Sequence, residues 1–245
     1  MAVSTALPTS ARLPLDPGSH ANKLARSLHS GSVASALREA IIGGAFTAGA
    51  PLVERRLAEQ LGISRGPVRN ALYTLEGEGL VTTGSNGRAF VAGFTNDDLR
   101  DLLAVRFELE STAVRWAMGR QTDVAPVVAL LEEMRDEGTS SQRLVDLDIS
   151  FHLALLELSG SRFLVQSWQA IAPVIHTVIT LGNRTLETRD PASNFHRIIT
   201  SHRRIVAPMS AGRVDEAVQR LADQFQFTGS MFEPVTTPAA VQRSR

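Results

Sequence analysis

Hydrophobic positions recur at helical spacing along most of the chain, and short polar or glycine-rich interruptions cut them into elements. Val33, Leu37, Ile41 and Ile42 form a first apolar stripe, which starts near Ser32 and is stopped by Gly43-Gly44. Phe46 to Leu52 lacks periodicity and reads as a loop. Leu57, Ala58 and Leu61 make a second stripe, and Val68, Ala71, Leu72 and Leu75 a third. Between these two lies Gly62, predicted to end a helix in the left-handed conformation that glycine adopts without a Cβ penalty. Ser64 is placed to cap the next helix by accepting a backbone N–H bond, and Pro67 falls in its first turn. After Glu76-Gly77-Glu78-Gly79, the β-type runs Leu80-Val81-Thr82-Thr83 and Arg88-Ala89-Phe90-Val91 flank Gly84-Ser85-Asn86-Gly87. That pattern predicts a β-hairpin with positive φ at its turn.

Two helices joined by a tight turn admit two readings. One is a helical hairpin with solvated arginines; the other is a helix-turn-helix. Arg65 and Arg69 sit one turn apart on the outward face of the second helix, where a recognition helix meets the major groove. A hairpin directly after that helix is a wing. The N-terminal half therefore reads as a winged helix-turn-helix.

From Thr95 onward the pattern is helical throughout. Thr95 can cap a helix whose first turn holds Asn96, Asp97 and Asp98, which suits the positive end of the helix dipole. That helix runs to about Arg120. Further helices are predicted at Pro126–Glu137 (ended by Gly138), Ser141–Leu158, Ser161–Leu181, Ala192–Met209 and Arg213–Phe232, with a polar loop from Gly182 to Asp190. The expected fold class is mainly α: a winged helix-turn-helix with a small hairpin, then an all-α antiparallel bundle. The expected organisation is a disordered tail at 1–28, a DNA-binding domain at 29–94, a helical domain at 95–233 and a flexible tail at 234–245.

Composition narrows the classes. The chain has 245 residues, 43% hydrophobic and 20% charged, and no cysteine, so disulfides and thiolate metal sites are excluded. No uninterrupted apolar run reaches spanning length, and Met1 to His20, with Arg12 and Asp16 inside it, lacks the apolar core of a secretion signal. A cytoplasmic protein without a membrane partner is expected. Net charge is zero, but residues 1–96 carry nine Lys/Arg against six Asp/Glu, and residues 97–245 sixteen against nineteen. A local basic face suffices for phosphate contacts, so neutrality is no bar to a DNA reader.

The second half holds three groups of chemical interest. Asp148 and His152 are four apart on one helix, among Leu144, Leu147, Phe151 and Leu155, so their face turns inward. A buried ionisable pair needs a partner, and His202, among Ile198, Ile199, Ile205 and Val206, is a candidate third member. One carboxylate with two imidazoles suits zinc, nickel or manganese; the other reading is a hydrogen-bonded core histidine. Arg106 lies four before Glu110, either as an intrahelical ion pair or as an anchor for an organic acid's carboxylate. His176 and His196 read as packing or surface residues, and His20 and His29 fall in the tail region.

The run Leu37-Arg38-Glu39-Ala40-Ile41-Ile42-Gly43-Gly44, then Gly49, Leu52, Leu57-Ala58 through Leu72, and Glu78-Gly79-Leu80-Val81 resembles the winged-helix domain of GntR-type bacterial transcription regulators. Ser64-Arg65-Gly66-Pro67-Val68-Arg69 is the most specific part. The second half resembles the FCD bundle of the FadR subfamily, through Arg106-x-x-x-Glu110, Asp148-x-x-x-His152 and His202-x-x-Ile205. The resemblance implies a homodimeric regulator, more often a repressor than an activator, that binds a palindromic double-stranded operator and whose affinity responds to a small organic acid held in the bundle.

It assigns DNA contacts to Arg55, Ser64, Arg65, Gly66, Pro67 and Arg69, with the wing tip Asn86-Gly87 reaching the minor groove. It assigns metal ligands to Asp148, His152 and His202. The expected effector contacts are Arg106, His152, His202 and Gln224. The chain departs from the family where a further histidine is expected on the last helix: Gln224 stands there, a poor ligand for these metals. An enzyme is not expected. The alternatives are a metal-dependent enzyme acting on a small carboxylate and a winged helix whose bundle only dimerises.

Overall fold

The computed structural model describes residues 30–136, 140–187 and 191–232. The predicted tails at 1–28 and 234–245, and the predicted stop at Gly138, lie outside the described residues. The chain divides after Thr95 into two compact units.

The first unit comprises α1 (Ser30–Ile42), β1 (Pro51–Leu52), α2 (Glu54–Leu61), α3 (Arg65–Gly77), β2 (Val81–Thr83) and β3 (Ala89–Val91). Val33, Leu37, Leu57, Val68 and Leu75 of the predicted stripes are buried, whereas Leu61 is half-buried, and Phe46 and Leu52 from the predicted loop join the core. Arg38 of α1 reaches Glu78 through two 2.6 Å hydrogen bonds, both side chains largely out of solvent, and so fixes α1 to the end of α3. The sheet has the antiparallel order β1-β3-β2, with Thr82 opposite Phe90 and Pro51 opposite Phe90 on its other side. The sequence reading made β1 part of a loop. Two residues have no periodicity to read, and Pro51, lacking an N–H, fits only a sheet edge.

Two turn predictions came out differently. Gly62 is left-handed as expected, at φ 66°, and ends α2. Ser64 occupies the cap position of α3 in extended conformation, but its side chain makes no capping bond. Pro67 explains this in part: it stands third in the helix, and the N–H that a capping serine commonly engages there does not exist. In the wing, Gly87 is left-handed at φ 71°, whereas Asn86 is not among the described residues with positive φ. Gly87 donates to the Gly84 carbonyl at 2.9 Å and Gly84 to that of Arg88 at 2.9 Å, a three-residue loop with a glycine bulge. Replacing Gly62 with alanine is expected to cost the first unit about 1–2 kcal/mol, from the left-handed backbone alone. A urea midpoint unchanged from wild type would contradict the assignment.

Among the described residues the second unit holds six helices: α4 (Asn96–Gly119), α5 (Ala125–Met134), α6 (Ser141–Leu158), α7 (Arg162–Glu187), α8 (Pro191–Ser210) and α9 (Val214–Phe232). Helix α6 is central, packed against α4, α5 and α7, and its start is capped by Ser140 Oγ, which accepts from the Arg143 N–H at 3.2 Å. The predicted loop after Leu181 is helical instead as far as Glu187. Ile179 and Leu186, seven apart, keep the apolar spacing there, while Asn183 is buried despite its polarity. Among the described helices α7 reaches the length and apolarity that could cross a membrane (mean hydropathy 1.2), and a third of that window is buried inside the protein, Trp168, Ile175 and Val178 included.

Candidate functional site

The outward face of α3 presents Arg65, Gly66, Arg69 and Asn70 to solvent, with Ser64 exposed before them and Pro67 half-buried. The inward residues Val68, Ala71, Leu72 and Leu75 fix that orientation by filling the core. Arg55, exposed on α2, pairs with Glu59 at 3.2 Å. Asn86 and Gly87 are exposed at the wing tip. Arg69 is not free: Glu54 at the start of α2 takes it in two 2.9 Å bonds. The Arg69 hydrogen bond holds the Glu54 carboxyl below its ordinary value. This fork holds the guanidinium in one orientation on the surface that a duplex would meet.

Among the described residues the second unit buries five ionisable side chains together. Helix α4 supplies Arg106 and Glu110, α6 supplies Asp148 and His152, and α8 supplies His202; each is at least 90% out of solvent. Arg106 Nε donates to Glu110 Oε1 at 2.8 Å, and the other Glu110 oxygen lies 2.5 Å from His152 Nδ1. His202 Nδ1 lies 2.7 Å from the Ile198 carbonyl, which can only accept, so this nitrogen carries a proton and Nε2 faces Asp148 Oδ1 at 3.0 Å. Among the described residues, the buried atoms without a hydrogen-bond partner include His152 Nε2, Asp148 Oδ2, Arg106 Nη2, Trp168 Nε1 and Gln224 Oε1. Around them Phe225 and Trp168 stack on the Arg106 guanidinium, at 4.4 and 5.2 Å, and Phe151 meets the His202 ring edge-on at 4.6 Å.

Burial drives the protonation states. It pushes the Glu110 carboxyl up to about 7, against the charge of Arg106. It pushes His152 well below its ordinary value, helped by Arg106, so the imidazole is neutral. Burial would raise Asp148 too, but the hydrogen bond and charge of His202 outweigh it and hold the carboxylate low. With Nδ1 turned to Glu110, His152 offers a bare Nε2. Carboxylate-backed histidines of this kind are how proteins orient metal ligands.

Ligand atoms of Asp148, His152 and His202 all lie within 4.8 Å of one another: the pair that spacing put on one face, and the candidate third member from α8. The bare His152 Nε2 and Asp148 Oδ2 fit a divalent cation, with His202 Nε2, now turned to Asp148 Oδ1, as the third protein ligand. Gln224 lies beside the cluster, its Nε2 3.4 Å from His202 Nε2, and its oxygen has no partner. A cavity of about 510 Å³ adjoins the cluster. Arg106, Asp148, His202 and Gln224 line it, together with Asn183 of α7 and three further arginines. His152, expected among the effector contacts, is not on the cavity wall. His196 is exposed and lines the cavity, and His176 pairs with Asp146 at 3.1 Å.

Sequence reasoning missed the second partner of Glu110 and the Glu54–Arg69 fork, since neither follows a helical interval. It also passed over Arg197 and Arg204, seven apart on α8, an interval that places both on one face.

Comparison with known proteins agrees with this geometry. Residues 29–91 match the model of bacterial regulatory proteins of the gntR family, and residues 101–226 match the FCD domain. The chain is 26% identical over 199 residues to the uncharacterized HTH-type transcriptional regulator YdhC of Bacillus subtilis (strain 168), covering 77% of this chain and 84% of the relative. It is 26% identical over 202 residues to the gluconate operon transcriptional repressor of Bacillus licheniformis, covering 79% and 80%. The solved structure of McbR/YncC from E. coli shares the fold, at a TM-score of 0.61 and 23% identity, over 85% of this chain and 99% of that one. With the FCD match alone spanning just over half of its residues, the chain belongs to the GntR family of bacterial transcription regulators, in the group whose C-terminal half is an FCD domain.

Proposed function

We propose that the protein is a homodimeric repressor whose affinity for a palindromic operator is set by a small organic acid bound in the helical unit, with a divalent metal at the base of the cavity. The observation that carries this reading is Arg106: a guanidinium 2% exposed, on the wall of a 510 Å³ cavity, whose Nη2 makes no hydrogen bond and comes only within 3.9 Å of Asp148 Oδ2. A carboxylate is the ligand group that satisfies it. Asp148, His152 and His202 would hold the metal, which would supply a Lewis-acidic anchor for an oxygen of the effector. Glu110 keeps both Arg106 and His152 in place from behind. The repressor sense is supported by the name of the gluconate operon relative.

On the DNA side, Arg65 and Arg69 stand where base edges or phosphates are read, and Ser64 with the start of α3 where a phosphate is met. Membership of a regulator family removes the case for a metal-dependent enzyme.

The test is operator binding by fluorescence anisotropy, with operator fragments taken from the DNA flanking the coding sequence. Arg65→Ala is expected to weaken binding by about 1–3 kcal/mol, with steep salt dependence in the wild type. An unchanged affinity would remove Arg65 from base reading. If neither metal nor any of a panel of hydroxy, sugar and dicarboxylic acids changes operator affinity or melting temperature, the bundle only dimerises.

A further inference from the structure

We propose that Glu54 is a buttress for base reading: by holding one edge of the Arg69 guanidinium it presents the other edge to a guanine of the operator. Arg69 is then a base reader, not a phosphate contact, and Glu54 its positioning residue. This rests on the DNA reading above and assigns Arg69 its target. A guanidinium is planar and carries its N–H donors in a fixed fork. The bonds to Glu54 run from Nε and Nη2, 2.9 Å each, and occupy the side edge of that fork. Nη1 and the second hydrogen of Nη2 remain, parallel donors at the tip of the side chain, and no described residue takes them. The major-groove edge of guanine offers the matching pair of acceptors, O6 and N7.

The place of that tip favours a base. Arg69 lies one turn into α3, in the N-terminal part of the helix that contacts base edges in a helix-turn-helix. Although tied to Glu54, its side chain is 55% exposed. Gly66, on the same exposed side of α3, leaves open space where a Cβ would stand, so no side chain there holds a duplex away. Arg65 makes no hydrogen bond or ion pair with any described residue and must be ordered on meeting DNA, whereas Arg69 is already ordered in the folded unit. A carboxylate on this surface would otherwise only repel phosphates, whose attraction to arginines supplies the non-specific affinity. Alignment of Arg69 accounts for its presence.

The test uses the full chain and an operator that it selects from random duplexes. Each guanine is replaced in turn by 7-deazaguanine, which lacks the N7 acceptor, and binding is read by fluorescence anisotropy. A guanine in each half-site is expected to show a penalty of about tenfold in the wild type, from one lost bond to a charged donor. In Arg69→Lys, which keeps the charge but has no fork, that penalty is expected to fall to about twofold or less. In Glu54→Ala it is expected to fall to about threefold or less, while affinity for an unrelated duplex holds or rises because a repelling charge has gone. Damage to the fold would instead weaken binding to both duplexes and leave the penalty, a ratio within one protein, as it was. If no guanine loses its penalty in Arg69→Lys, Arg69 is a phosphate contact and the proposal fails. A penalty lost in Arg69→Lys but kept in Glu54→Ala overturns the buttress. A wild type that selects no common sequence fails the operator reading itself.

Discussion

Replacing Arg106 with alanine is expected to cost the helical unit about 3–5 kcal/mol at neutral pH, read as a lower urea midpoint for its unfolding transition. The side chain is 2% exposed and bonded to Glu110, its Nη2 is 3.9 Å from Asp148 Oδ2, and it fills the space between Phe225 and Trp168. Its removal leaves two carboxyls without the buried positive charge they share, and a gap between two rings. Acid should partly rescue the variant, and the sign follows from Glu110. Its folded value is already raised from 4.5 to about 7, so the folded state prefers the protonated form and its contribution to stability falls as pH climbs through that window. Without Arg106 that value moves higher and the loss towards neutral pH steepens. Asp148 acts in the opposite sense: its value is lowered, so its contribution is present above the ordinary value of 3.8 and is lost only in stronger acid. Adding Glu110→Gln to Arg106→Ala should recover part of the loss, since a neutral amide needs no counter-charge. A single substitution costing under about 1 kcal/mol would mean that the buried charge is compensated elsewhere.

The parts of the molecule legible in the sequence were those fixed by local spacing. Gly62, Pro67 and the stripe Val68, Ala71, Leu72, Leu75 define α3 and its exposed face without help from the rest of the chain. Asp148 and His152 share a face because four residues make one turn, and His202 could be matched to them because the residues around it are as apolar as theirs. What escaped depends on how helices pack. Glu110 looked like the partner of Arg106 and nothing more, because its approach to His152 is made across the gap between α4 and α6. Glu54 reaches Arg69 over fifteen positions, an interval no helical period contains. The absent cap at Ser64 was readable in principle: Pro67 removes one of the donors a cap would use, and both residues were in view. The helical continuation to Glu187 was hidden by polar composition, because Asn183 reads as a loop residue when the cavity it lines is not yet known.

Divalent metal should produce the other large effect. Zinc at about a hundred times its dissociation constant is expected to stabilise the folded protein by about 2.7 kcal/mol, or about 5–11 °C in melting temperature for a unit of this size, reversed by chelator. Asp148→Ala should abolish the shift. The response should weaken in mild acid: His152 is kept neutral by burial and Arg106, but His202 Nε2, 3.0 Å from Asp148 Oδ1, binds a cation only without a proton. Gln224→His separates the possibilities further. The glutamine oxygen is buried and unpartnered beside His202, so a histidine there would complete a four-ligand set, and affinity should rise by about tenfold or more. A wild type blind to zinc, nickel and manganese but a responsive Gln224→His variant would show that this one amide has switched the site to a metal-free pocket. Arg106 would then bind the acid with His202 and Asp148 as polar neighbours. If both proteins are blind to all three metals, the contact between His202 Nε2 and Asp148 Oδ1 is a hydrogen bond that no cation displaces, and the cluster is a hydrogen-bonded core rather than a metal centre.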